Sequence, residues 1–436
     1  MKNSGQPWSN WIGTVDYRAG RVFETDREDR LAAHIAETAR AGGQLKAVGT
    51  GHSWSPITQS GDSAIFLGAL TGLTKTDRAQ RLATAYAGMT LKDFNAALSR
   101  VGLALPNLGS INQQSLGGIV STATHGTGLR YTTFAGLVRH LRLVDGLGNT
   151  HDITEESNPR WFQAARCGLG ALGVITQVTL QCEDAFRLHC VEELMKVDEV
   201  LERLDELVAE NQHFKFWWVP GTRWALTFRQ NRTEEPKRNA GWGHRWWHRM
   251  FMRNSALESG LSFAARVPAA LGMVQRMITM GTPKRREYVD ASHEVFNFPV
   301  NVKHWESEFA LPIQAARAGF EALRELIDRE HIRIGFITEC RFVGRDAAWL
   351  SPAHGRDTAY IGAFQYHGMP YKDYFRVFSR EMHAFDGRPH WGKMHDLSGR
   401  EIASGYAHWD DFRQVRAELD PKGVFLNRYL KDVFDV

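Results

Sequence analysis

Nine residues near the start of the chain, Val48-Gly49-Thr50-Gly51-His52-Ser53-Trp54-Ser55-Pro56, restrict the folds open to everything after them. They follow Gln44-Leu45-Lys46-Ala47-Val48, which reads as a short strand, and the two glycines let the backbone turn with its N–H groups facing outward. Such a nest of main-chain donors suits the delocalised charge of a pyrophosphate, and Ser53 and Ser55 add hydroxyl donors. A lone Gly-x-Gly is more often a plain surface turn. His52 sets this copy apart, because an imidazole is nucleophilic and titrates near neutrality. A single histidine is usually structural, so the reading needs support from elsewhere in the chain.

From Pro106 to Gly128 small and hydroxyl side chains nearly replace large apolar ones, with Gly109, Ser110, Ser115, Gly117, Gly118, Thr122, Thr124, His125 and Gly126 among them. A packed core would not choose that composition. A backbone pressed against a flat ligand would, since glycine allows close approach and hydroxyls donate to ring carbonyls and phosphate oxygens. The alternative is a glycine-rich loop without chemistry. A third close approach is offered by Gly168-Leu169-Gly170-Ala171-Leu172-Gly173-Val174-Ile175-Thr176, which leads into an alternating strand from Val178 to Gln181. Three such segments in the amino-terminal part imply one extended ligand.

Helical spacing runs from Asp26 to Ala41, with Leu31, Ile35 and Ala39 on one side, and from Leu91 to Val101. Ala64 to Leu67 and Arg81 to Tyr86 read as strands, which gives an alternating α and β pattern with short connectors. At 436 residues, 43% hydrophobic and 23% charged, the chain is long enough for two domains. A net charge of +4 is compatible with an anionic ligand and too small to argue for nucleic acid. Cys167, Cys182, Cys190 and Cys340 show neither C-x-x-C spacing nor a histidine at metal-ligand distance, so no metal site or disulfide framework is expected. No uncharged apolar run reaches about 18 residues and Met1 to Thr14 has no apolar core, so the expectation is a cytoplasmic protein.

The segments Gly49-Thr50-Gly51-His52-Ser53 and Ser115-Leu116-Gly117-Gly118 through Thr124-His125-Gly126-Thr127-Gly128 resemble the FAD-binding domain of the vanillyl-alcohol oxidase superfamily. The carboxy-terminal half resembles its aldonolactone oxidoreductases, which include gulonolactone and arabinonolactone oxidases. That likeness is carried by Glu339-Cys340-Arg341 running on to Trp349-Leu350-Ser351-Pro352, by Gly387-Arg388-Pro389-His390-Trp391-Gly392-Lys393, and by Leu419-Asp420-Pro421-Lys422-Gly423-Val424-Phe425-Leu426-Asn427-Arg428-Tyr429-Leu430. The resemblance implies an α+β fold: a two-subdomain FAD domain over 1–182, an α+β cap with a large antiparallel sheet over 183–395, and a segment, 396–436, that returns to the FAD domain. It places Val48, Gly49, Thr50, Gly51, His52, Ser53, Gly109, Ser110, Ser115, Gly117, Gly118, Thr122, Thr124, His125, Gly126, Ile175 and Asn427 at the cofactor. His52 sits where many relatives attach FAD covalently through the isoalloxazine 8-methyl group, the alternative being a dissociable FAD.

Lys393 matches the family lysine near flavin and substrate oxygens, and Glu339 and Arg341 look like the Glu-x-Arg pair that positions substrate hydroxyls. Two apart on a strand, these last two point to one face, and an arginine held by a carboxylate keeps one fork orientation. Taken alone, each residue reads more readily as a surface ion pair or an exposed cation, and it is the three together with the family likeness that favour a site. Ser110 is expected to touch both substrate and flavin. The implied reaction moves hydride from C2 of a sugar-1,4-lactone to flavin N5, and no general base stands out. Gly109 resembles the position where an alanine in dehydrogenases obstructs oxygen, so glycine favours an oxidase producing hydrogen peroxide over a dehydrogenase with another acceptor. Alditol oxidases share these motifs but carry a His and a Thr where this chain has Gly362 and Phe364, which favours a lactone over xylitol or sorbitol. A flavin-binding protein without turnover would lack the charged trio.

One stretch stays apart. Pro236 to Arg253 holds Lys237, Arg238, Arg245, Arg249, Arg253 and Trp242, Trp246 and Trp247 without an acid. Such a segment either lies on an anionic membrane surface or packs on the cap, and buried aromatic packing is the favoured reading.

Overall fold

The computed structural model describes residues 7–18, 20–60, 63–239 and 254–436. The first expected helix spans Glu28–Arg40 and buries Leu31, Ile35 and Ala39. The second, Leu91–Arg100, opens at Thr90, whose hydroxyl accepts from the Asp93 N–H. Strand Leu45–Val48 pairs in parallel with Ser63–Phe66, and that strand with Arg21–Glu24. An antiparallel sheet follows in the order Thr150–Ile153, Val138–Val144, Val174–Gln181, Leu82–Tyr86, Leu73–Asp77. The alternation expected from Val178 to Gln181 is present: Val178 and Leu180 are fully buried, whereas Thr179 is 8% exposed and Gln181 is half-buried. Val178 and Leu180 belong to the large apolar core, and Val174 joins the cluster of Leu31 and Ile35.

From residue 187 the chain builds an eight-stranded antiparallel sheet. Its order is Arg285–Ala291, Arg187–Lys196, Trp224–Thr233, His213–Trp218, Thr338–Val343, Thr358–Tyr366, His304–Pro312, Arg388–Pro389. Alternation separates its faces. Phe216 and Phe309 turn to the helices Ala316–Arg329 and Lys372–Ala384, where their rings meet Phe320 at 4.9 Å and Phe378 at 5.6 Å between centroids. Lys215 and Glu308, their neighbours along the strands, turn the other way, toward Ser110 and His125 of the amino-terminal half.

The last stretch leaves this sheet. Val424 O accepts from the Leu45 N–H at 2.9 Å, and Val424 and Phe425 join the apolar cluster of Leu31 and Ile65. All four cysteines are buried. Among the described residues no helix is long and apolar enough to cross a membrane. Of the basic segment 236–253, residues 240–253 lie outside the described residues, while Lys237 pairs with Asp290 at 3.0 Å and Arg238 with Glu235 at 3.4 Å.

Candidate active site

A cavity of about 860 Å³ runs between the glycine segments and the free face of the eight-stranded sheet. Val48, Gly49, Thr50, Gly51, His52, Ser53, Gly109, Ser110, Ser115, Gly117, Gly118, Thr122, Thr124, His125, Ile175, Glu339, Arg341 and Lys393 all line it. Gly126 and Asn427 do not. A Cβ at Gly126 would run into the Asn107 side chain, so its glycine serves backbone packing. The Asn427 amide donates to the carbonyls of Pro56, Ile57 and Gln59 at 2.9, 3.2 and 2.9 Å, and its oxygen caps helix Arg428–Phe434. Asn427 therefore shapes the loop behind His52 and makes no wall of the cavity.

The turn after Leu45–Val48 has Gly51 at φ +74°, and a Cβ on Gly49 would strike Ser115 Oγ, so the first two glycine segments meet directly. Burial, assisted by the Lys393 charge, pushes the His52 imidazole down to about 4, so it is neutral at physiological pH. Its Nδ1 is buried without a hydrogen-bond partner. A neutral ring with an unused nitrogen in a glycine-lined groove is a donor set that fits FAD, noncovalently or through that nitrogen. The loop beyond His52 is fastened to the cap. Trp54 N–H donates to Gly392 O at 2.7 Å, Trp54 Nε1 to His304 O at 2.8 Å and Ser55 Oγ to Trp391 O at 2.7 Å. Lys393 Nζ then lies 4.0 Å over the Trp54 ring.

On the cap side Glu339 and Arg341 do share a face, and they are buried. Arg341 Nε meets Glu339 Oε2 at 2.8 Å, and Arg341 Nη2 donates to Ser110 Oγ at 2.9 Å. Lys215, which sequence reasoning passed over, donates to Glu339 Oε1 at 3.1 Å and to Ser110 Oγ at 3.2 Å, and Trp217 Nε1 donates to Glu339 Oε1 at 2.6 Å. Burial alone would raise the Glu339 carboxyl, yet Arg341 and Lys215 outweigh it and hold the group down at about 2. With two cations donating to Ser110 Oγ, its own O–H remains to donate into the cavity. The Asn297 amide donates to Gly109 O at 2.7 Å and Phe298 N–H to Ser110 O at 3.0 Å, fixing that loop.

Lys393 is ion-paired with Glu306, a second missed residue. Glu308, two along, lies 3.5 Å from His125 Nε2, and His390 completes a buried group whose ligand-type atoms lie within 4.8 Å of one another. His390 Nδ1 accepts from the Gly392 N–H at 3.0 Å, so its Nε2 carries the ring proton and presents no lone pair to a metal while neutral. Burial would raise Glu308, but His125 foremost holds it far below the usual carboxylate range. The alternating pattern Phe214-Lys215-Phe216-Trp217 and the Glu306-x-Glu308 spacing were the available signals: a charge at the period-two positions of an otherwise apolar strand.

The profile of the family described as "D-arabinono-1,4-lactone oxidase" matches residues 178–433, and that described as "FAD binding domain" matches residues 19–154. The L-gulono-1,4-lactone dehydrogenase of Mycobacterium tuberculosis is 36% identical, covering 98% of each chain. The L-gulonolactone oxidase of Scyliorhinus torazame is 32% identical, covering 99% of this chain and 98% of its own. A crystal structure of cholesterol oxidase from B. sterolicum superposes with a TM-score of 0.85 at 16% identity, over 99% of this chain and 97% of that one, a likeness of fold alone. With its vanillyl-alcohol oxidase type fold and these matches, the chain belongs to the D-arabinono-1,4-lactone oxidase family, the FAD-linked aldonolactone oxidoreductases.

Proposed function

We propose that this protein oxidises the C2 hydroxyl of a gulono-, galactono- or arabinono-1,4-lactone and returns the electrons to molecular oxygen as hydrogen peroxide. FAD, when bound, supplies the hydride acceptor at N5. The observation that carries the reading is the buried clamp of Arg341, Glu339, Lys215 and Ser110 facing a glycine-lined groove that also holds Lys393.

Arg341, locked by Glu339, and the Ser110 O–H fix the hydroxyls of the substrate in one pose. Lys393 adds a positive charge to polarise the reacting oxygen and to offset negative charge that builds on the other reactant. The hydroxyl proton leaves to solvent or to the Lys393–Glu306 pair. His52, neutral and with Nδ1 unused, is the point of covalent FAD attachment. Beneath the clamp, Gly362 has no side chain and the Phe364 ring lies across it, close enough that a Cβ there would be 2.7 Å from Phe364 Cε2. That floor is apolar, which suits the face of a lactone ring better than an extra hydroxyl of an alditol.

The oxygen assignment rests on Gly109, where an added Cβ would sit 3.2 Å from the His125 carbonyl oxygen and narrow the groove. Anaerobic bleaching by a panel of aldonolactones, xylitol and sorbitol tests the substrate: lactones are expected to reduce the protein, and rapid reduction by polyols alone would overturn the reading. Gly109→Ala is expected to slow reoxidation by oxygen roughly tenfold or more in stopped flow with little change in the reductive step. Equal reoxidation rates would remove the gate.

A further inference from the structure

The clamp uses only one half of the cap sheet's inner face. Cross-strand register sets Arg341, Lys215, Phe228, Glu192 and Arg286 in one row and Glu339, Trp217, Leu226 and Leu194 in the next. The chemistry changes at Trp217. Beyond it Leu226, Leu194 and Val219 line the same cavity and are only half-buried, so apolar surface faces open space. Among the described lining residues, the two charges on that side, Glu192 and Arg286, are 2.5 Å apart and offset each other.

The facing wall is a pair of helices, Leu257–Arg266 and Leu271–Gly281. Leu261 and Val274 are buried in it, whereas Phe263, Met273 and Met277 line the cavity and are also 47%, 52% and 64% exposed. Side chains that border a cavity and face solvent mark its mouth. An apolar passage therefore runs from the surface to Trp217, whose indole N–H already binds the Glu339 carboxylate.

A polyhydroxylated lactone would leave its hydroxyls unpaired along such walls, and a diatomic gas needs no passage of this width. A flat apolar molecule with a hydrocarbon tail would cover the half-exposed side chains, and the flexible methionines at the mouth adapt to a tail of variable shape. We propose that this passage binds a quinone that takes electrons from the reduced flavin as an alternative to oxygen. The step balances: two electrons and one proton leave the reduced cofactor, a second proton comes from solvent, the quinone departs as the hydroquinone, and the cofactor is left oxidised. The inference rests on the flavin assignment and not on the identity of the lactone.

Two measurements test it. Irradiation of the purified full-length protein with an azido-substituted decylquinone, followed by peptide mapping, is expected to label residues 257–281 or 213–228, and excess decylubiquinone should protect them. Enzyme reduced with dithionite under argon needs no lactone, so failure of the substrate reading leaves this arm intact. Decylubiquinone should restore the oxidised spectrum, and Met277→Arg should lower its reoxidation rate constant roughly tenfold relative to that for ferricyanide, which requires no apolar passage. Labelling confined to other segments or unprotected labelling would overturn the proposal. So would a Met277→Arg variant that treats the two acceptors as the parent does.

Discussion

Glu339 is the side chain on which the others depend. It stands between two buried cations, accepting from Arg341, Lys215 and Trp217. Glu339→Gln keeps the shape and removes the charge, leaving Arg341 and Lys215 in a dry site with one counter-ion fewer. Loss of stability of about 3 kcal/mol or more is expected, seen as a lower Tm, together with a fall in kcat/KM. The pH dependence has a definite sign. A carboxyl held at about 2 when folded and near its ordinary 4.5 when unfolded contributes stability above 4.5, and that contribution is lost as pH falls from 4.5 toward 2. A Glu339→Gln variant should therefore show a smaller drop in Tm across that acid window than the parent. Glu339 and Arg341 were legible because two apart on a strand means one face. Lys215 was not, since its partner Glu339 lies far along the chain and only cross-strand register brings them together.

At the scale of elements, the turn after Leu45–Val48 and the helix Leu116–Ser121 are held in contact at a point where only a missing side chain fits. Gly49→Ala is expected to lower the FAD content per chain, and Gly49→Ala with Ser115→Ala to recover part of it, because the clash is with Ser115 Oγ. Equal FAD content in both variants would show that the contact is not what glycine serves. The motifs marked this element well, but they could not separate residues that face the cavity from residues that hold its wall. Asn427 and Gly126 belong to the second kind: one is spent on three carbonyls, the other on a backbone packed against Asn107.

Across the whole molecule, the site is assembled from the amino-terminal loops, the middle of the cap sheet and the 390–393 loop, joined by hydrogen bonds between residues hundreds apart such as Trp54 and Gly392. Composition and motif order announced the two parts. The depth and polarity of the cavity between them depend on side-chain directions that no spacing encodes. Burial also gives the molecule a collective response to acid. His52, His213, His390 and His395 are pushed down to about 4, 3, 3 and 4, chiefly by burial. Each is neutral when folded and binds a proton near 6.5 when unfolded, so stability falls as pH drops through 6.5 toward those lower values, by about 2 kcal/mol per group at pH 5 for the most depressed. Tm should fall steadily from pH 7 to pH 5, before the loss from Glu339 begins.

The most direct test of the account is the rate at which an aldono-1,4-lactone bleaches the flavin of the purified protein without oxygen, compared between the parent and Arg341→Ala. The buried clamp predicts a yellow parent that is fully reduced and a yellow variant that is reduced roughly 100-fold or more slowly. A colourless parent that refuses FAD, or a variant that bleaches at the parent's rate, would contradict it.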